Sequence, residues 1–210
     1  VQVTATFVIR SGVMWSDGQP VTAADSVFSY QLAQLDASAS TRFVTARTAG
    51  YEAVDDQTVR WTGMPGWRDL DYALRFFAPM PANVYSGVDP AAVPAREDAS
   101  STPLGWGAFR VVEWRRGERL VMERNPYYFR ATEGLPKVDR VVFRFGVAAD
   151  QALADMQAGL CHIAAESQGL TSLMPQLREV GATGALQVRT ASTNTYEHLD
   201  FGMLPAEDYQ

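Results

Sequence analysis

Residues 3–10 alternate Val3, Ala5, Phe7 and Ile9 with Thr4, Thr6, Val8 and Arg10, a period of two that predicts a strand with one buried face. In Ser16-Asp17-Gly18-Gln19-Pro20 the aspartate can bond the backbone two residues on and the glycine can take positive φ, so the chain reverses there. Thr22 then caps a helix, with Asp25 close to the positive end of the helix dipole and Phe28, Leu32 and Leu35 at helical spacing. Residues 36–50 turn to Ala, Ser, Thr and Arg with Phe43 and Val44 as the apolar anchors, which allows at most a short helix. Residues 51–62 read as a hairpin bent at Asp55-Asp56, with Val59 and Trp61 on one face of the returning strand. Leu70, Leu74 and Phe77 predict a helix across 69–77. The Pro/Ala-rich stretch 79–103 is expected to wrap the surface and mark a boundary.

A second β-rich block follows. Residues 108–114 and 118–124 flank Arg115-Arg116-Gly117, the composition of a short hairpin loop. Asn125-Pro126 ends the second strand, because proline cannot donate to a ladder, and Tyr127, Tyr128 and Phe129 supply aromatic cover for the sheet edge. Val141, Phe143 and Phe145 share one face of another strand. A helix from Asp150 carries Leu153, Met156 and Leu160 and stops near Gly159. Residues 163–165 then read as a short strand, 170–180 as a helix on Leu173, Met174, Leu177 and Val180, and 186–189 and 195–201 as two more strands. The chain shows no internal repeat and no low-complexity tract.

Composition narrows the chemistry. The 210 residues are 47% hydrophobic and 11% aromatic, enough to build real cores. Eighteen Lys+Arg against twenty-four Asp+Glu give a formal charge of −6, which argues against a surface for phosphate backbones or anionic lipid. A single cysteine, Cys161, excludes an internal disulfide, and two histidines leave little for a Cys/His zinc site. No apolar run approaches the roughly 20 residues that span a bilayer, and no secretory signal opens the chain. Neither end carries the turn or cap chemistry of a natural terminus, so a segment of something longer is expected.

Each candidate for chemistry has a plainer reading. On a strand, Cys161 and His162 would point to opposite faces, which suits neither a metal nor a nucleophile with its base, and the thiol reads as a small hydrophobe. Asp55-Asp56 sits where a bend needs such residues and where solvent keeps both ionised. Gly105-Trp106-Gly107 lacks the helix start and the Lys-Ser/Thr of a phosphate loop. Thr193, Tyr196, His198 and Asp200 put polar and aromatic groups on a late strand, His198 and Asp200 on one face, where alternation also fits an edge strand facing water.

Four stretches in order resemble the family 5 extracellular solute-binding proteins, the oligopeptide, dipeptide and nickel receptors of ABC importers. They are TFVIRSGVMWSDGQPVTAADSVFSYQ, YEAVDDQTVRW, GWGAFRVVEWRRGERLVMERNPYYF and ALADMQAGLCHIA, and together they span nearly the whole chain. The sequence departs from the family pattern at Trp106 and Ala108 for threonine and proline, at Phe129 for tryptophan and at Gly202 for asparagine.

The resemblance implies a mixed α/β fold of the type II periplasmic-binding architecture. Residues 1–103 would be an inserted β-rich subdomain of the first lobe, 104–194 part of that α/β lobe, and 195–210 a strand crossing toward a second lobe outside this chain. It further implies a monomeric periplasmic or extracellular receptor, free or lipid-anchored. Such a receptor captures a peptide or similar solute and passes it to a permease, with no covalent chemistry, cofactor, metal or nucleic acid. Aligning the crossing strand puts Thr193, His198 and Asp200 at ligand contacts, and Trp106 either faces the cleft or lies as a lid on the sheet edge. Two other classes stay open. One is a ligand-sensing domain of a transcriptional regulator, whose flanks would carry a helix-turn-helix, and the other a hydrolase built on Glu166, His198 and Asp200.

Overall fold

The computed structural model describes residues 1–36, 38–165 and 169–190. The chain divides into two compact units, Val1–Phe145 and Gly146–Gln210.

In the first unit the alternation at the start of the chain becomes strand β1, Thr4–Val8. It pairs antiparallel with β3, Thr58–Gly63, which pairs in turn with β2, Thr48–Ala53, giving the order β1-β3-β2. Ala5 lies opposite Trp61 and Phe7 opposite Val59, so the predicted apolar face of β1 meets the predicted apolar face of the hairpin. Ala5, Tyr51, Val59 and Trp61 form the core with Ala23, and Val59 and Trp61 are wholly buried. The Trp61 indole N–H donates to the Thr48 hydroxyl at 2.9 Å, which satisfies the polar end of a ring otherwise held by packing. At the hairpin bend the Asp55 carboxylate accepts the backbone N–H of Gln57 and of Thr58. The Gln57 bond holds that carboxyl below the usual carboxylate range.

Helix α1, Ala23–Leu35, starts where Thr22 predicts, and the Thr22 N–H donates to the Asp25 carboxylate at 2.8 Å. Its buried face differs from the expected Phe28–Leu32–Leu35 stripe. Ala23, Asp25 and Ser26 face inward, Val27 and Tyr30 pack beside them, and Leu35 is 58% exposed. Small residues bring the helix close to the sheet, and Ser26 earns its buried place by hydrogen bonds to the Tyr51 hydroxyl at 2.7 Å and to the Phe77 carbonyl. A short helix α2, Ala39–Thr45, occupies the segment where at most a short helix is expected.

The helix expected across 69–77 is reduced to a 3-10 turn, Tyr72–Leu74, with Leu70 and Leu74 exposed. Asp69 is the cause. Its carboxylate accepts the Asp71 N–H and pairs with Arg75 at 2.6 Å, a local alternative to helical bonding, and the Arg75 guanidinium holds the acid below its ordinary range. Phe76 and Phe77 reach the core instead. The Pro/Ala-rich stretch contains short helices, α3 at Ala82–Tyr85 and α4 at Glu97–Ser100, around a 3-10 segment at Pro90–Ala95. It does more than wrap the surface, since Tyr85 and Val93 are buried.

The second sheet is β4-β5-β6, with β4 at Phe109–Arg115, β5 at Arg119–Arg124 and β6 at Arg140–Arg144, all antiparallel. Gly117, at φ 76°, closes the predicted hairpin.

In the second unit, α5 is Ala149–Gln157 and ends before Gly159 at φ 71°. Its buried residues are Ala152 and Asp155, whereas Leu160 of the expected stripe is exposed. Helix α6, Met174–Ala182, follows a 3-10 turn at Leu170–Leu173 and fits the predicted helix. The expected strands at 163–165 and 186–189 do not form, and Ile163 is exposed. Apolar runs of three or four residues satisfy no ladder bonds without an adjoining edge, and among the described residues neither run pairs with a strand. The candidate strand 195–201 lies outside the described residues.

Candidate functional site

Of the four residues implicated in ligand contact, Thr193, His198 and Asp200 lie outside the described residues, as do Glu166 and with it the whole hydrolase constellation. Trp106 is described. It stands in the loop entering β4 and is 39% exposed.

Three short segments meet around that loop. Before Trp106, Leu104 packs on the cluster of Ile9, Trp15 and Val21, and the Gly105 N–H donates to the Ser16 hydroxyl at 3.4 Å. After it, the Gly107 carbonyl accepts from the Asn125 side-chain amide at 2.9 Å, and the Ala108 carbonyl accepts the Asn125 backbone N–H, also at 2.9 Å. Asn125 is fully buried, and its side-chain oxygen takes the Tyr127 N–H at 3.0 Å. The asparagine that the sequence marks as a strand stop is therefore a three-way tie, and its polar signal lay in the run Asn125-Pro126 itself.

The turn at residues 15–19 closes the corner. The Trp15 N–H donates to the Gln19 carbonyl at 2.7 Å, the Asp17 carboxylate accepts the Gln19 N–H at 2.9 Å, and Gly18 sits at φ 88°. Tyr127 lies directly on Gly18, where an added Cβ would come within 2.9 Å of the tyrosine ring. Gly18→Ala is accordingly expected to lower stability by about 1–2 kcal/mol for the left-handed backbone, the half-exposed Tyr127 ring giving way to the new methyl. A urea melt checks this, and an unchanged midpoint contradicts the left-handed turn. Two residues further on, Phe129 packs against Tyr128 with ring centroids 4.8 Å apart and lies under the Arg10 guanidinium at 4.9 Å. Tyr127 of the aromatic trio thus joins the segment after β5 to the turn.

Elsewhere in this unit an open groove of about 610 Å³ runs between α1, β2 and α3, lined by Val27, Phe28, Tyr51, Tyr85 and Val88, with Glu52 as its charged group. No pattern in the sequence announces it, since its walls come from three separate elements.

Cys161 lies in irregular chain after α5, its thiol donating to the Ile163 carbonyl at 3.1 Å, and so is not on the expected strand. Among the described residues no three of His, Cys, Asp and Glu gather as metal ligands. None of the described helices is long and apolar enough to cross a membrane.

Comparison with known proteins supplies the family. Residues 2–204 match the family model described as "Bacterial extracellular solute-binding proteins, family 5 Middle". The chain is 28% identical over 158 residues to the oligopeptide-binding protein AppA of Bacillus subtilis, covering 72% of this chain and 28% of that protein. Over 172 residues it is 28% identical to a periplasmic alpha-galactoside-binding protein of Rhizobium meliloti, covering 73% of this chain and 24% of the relative. The solved structure of Bacillus subtilis AppA in complex with a nonapeptide superposes with a TM-score of 0.62 over 74% of this chain and 31% of that one, at 28% identity. The ABC transporter substrate-binding protein CtaP from Listeria monocytogenes gives 0.60 at 30% identity, over 75% of this chain and 32% of that one. The chain therefore spans roughly a quarter to a third of the length of these relatives. Its mixed α/β architecture is shared with solved binding proteins of this group, and with a model match along residues 2–204 the chain belongs to the bacterial extracellular solute-binding proteins of family 5.

Proposed function

We propose that the protein to which this chain belongs captures a peptide or similar small solute between two lobes and delivers it to the permease of an ABC importer, without covalent chemistry. The observation that carries this reading is the family match along residues 2–204, joined to the peptide and sugar binders among the relatives. In this reading residues 1–103 are the inserted subdomain, 104–194 part of the first lobe and 195–210 the crossing strand. The protein works outside the cytoplasmic membrane, free or lipid-anchored. Thr193 just before the crossing strand, His198 and Asp200 on it and Trp106 on its clamped loop contribute ligand contacts.

Each lobe supplies half a cleft, and ligand shifts the open–closed equilibrium by touching both halves. Calorimetric titration of the full-length protein with a nonapeptide is the test. His198→Ala and Asp200→Ala should each weaken binding about tenfold, equivalent to about 1.4 kcal/mol, while the melting temperature stays put. The 210-residue chain alone should bind weakly. Unchanged affinity in both variants removes the crossing strand from the site, and submicromolar binding by the isolated chain contradicts a two-lobed cleft.

A further inference from the structure

We infer that Asn125 is a positioning residue for Trp106, holding the indole as a preformed platform for the solute; this rests on the ligand role proposed for Trp106. The loop carrying Trp106 has no regular secondary structure, and such a segment normally samples many conformations. Here it is tied on both sides of the indole.

On one side Leu104 is packed and the Gly105 N–H is bonded to Ser16. Ser16 itself is 6% exposed, so its hydroxyl sits on a fixed support. On the other side the Asn125 amide binds the carbonyl of Gly107, the residue next to Trp106. The same side chain accepts from Tyr127, whose ring rests on Gly18 of the Ser16 turn. Asn125 is thereby linked to both anchors of the loop. It is fully buried and so offers no surface of its own to a solute.

Flanking glycines make these ties necessary. Gly105 and Gly107 have nothing within 4 Å of an added Cβ, so side-chain packing does not hold the backbone at either point. Hydrogen bonds fix it instead, and a fixed aromatic spares the ordering cost that a mobile one incurs on binding.

The experiment uses the full-length protein labelled with 5-fluorotryptophan, the Trp106 line being assigned with Trp106→Phe, and a nonapeptide as probe. Asn125→Ala should shift and broaden the Trp106 fluorine line while those of buried Trp15 and Trp61 keep their positions. It should also weaken nonapeptide binding by about the factor seen for Trp106→Ala, and the double variant should bind no worse than Trp106→Ala alone. A Trp106 line unmoved in Asn125→Ala, or losses that add in the double variant, overturns the positioning role and leaves the ligand reading intact. Should Trp106→Ala bind the nonapeptide like the parent, the ligand role itself falls and takes the proposal with it. Where Asn125→Ala does not fold, Ser16→Ala releases the other end of the loop and must move the same line; a line unchanged there overturns the proposal.

Discussion

Asp25→Ala should lower the free energy of unfolding by about 2–4 kcal/mol, since each buried donor left without a partner costs about 1–3 kcal/mol. The carboxylate is 4% exposed and collects four donors from three parts of the chain. Thr22 contributes its N–H at 2.8 Å and its hydroxyl at 3.2 Å, Trp15 its indole N–H at 3.3 Å and Ala82 its N–H at 2.8 Å. One side chain thus caps α1, fixes the tryptophan that opens the turn and fastens the start of α3. In a chain of this size the loss corresponds to a fall of roughly 5–15 °C in melting temperature, readable by circular dichroism. Asp25→Asn keeps an acceptor for part of the set and should fall between the parent and the alanine variant. A melting temperature within a degree of the parent in Asp25→Ala would show that the carboxylate is not the joint described.

Trp61→Ala should be as damaging, by about 3–5 kcal/mol for removal of a fully buried tryptophan. The ring is 0% exposed in the core of the β1-β3-β2 sheet, and its loss also frees the Thr48 hydroxyl that it bonds. Leu74→Ala is the matched control. Leu74 is 74% exposed, and its truncation should change stability by no more than about 0.5 kcal/mol. Urea unfolding of the two variants checks the contrast, and equal losses would refute the placement of the core.

Local chemistry was legible in the sequence where one short segment carried the whole instruction. The alternation of β1, the Asp17-Gly18 reversal, the Thr22 start of α1 and the Gly117 hairpin all appear as the pattern predicts. What the pattern missed depends on partners far along the chain. Ser26 lies off the expected Phe28–Leu32–Leu35 stripe, yet Tyr51 and Phe77 make its burial favourable. Leu70 and Leu74 read as a helical stripe, yet the Asp69–Arg75 pair spends the backbone differently. Trp106 stands out only through the family resemblance of its loop, and the ties at Ser16 and Asn125 join residues 89 and 18 positions apart and leave no periodic trace.

That spacing also orders events during synthesis. The Ser16 turn is made early, but the loop it holds is 89 residues downstream and Tyr127 lies further still. Contacts of such long range close only after the segment through Tyr127 has been translated, because the entropy of closing the intervening loop must be overcome first. The Trp106 loop is therefore a late-maturing part of Val1–Phe145, and a nascent chain released before Asn125 would hold the early hairpin yet leave that loop without its second tie.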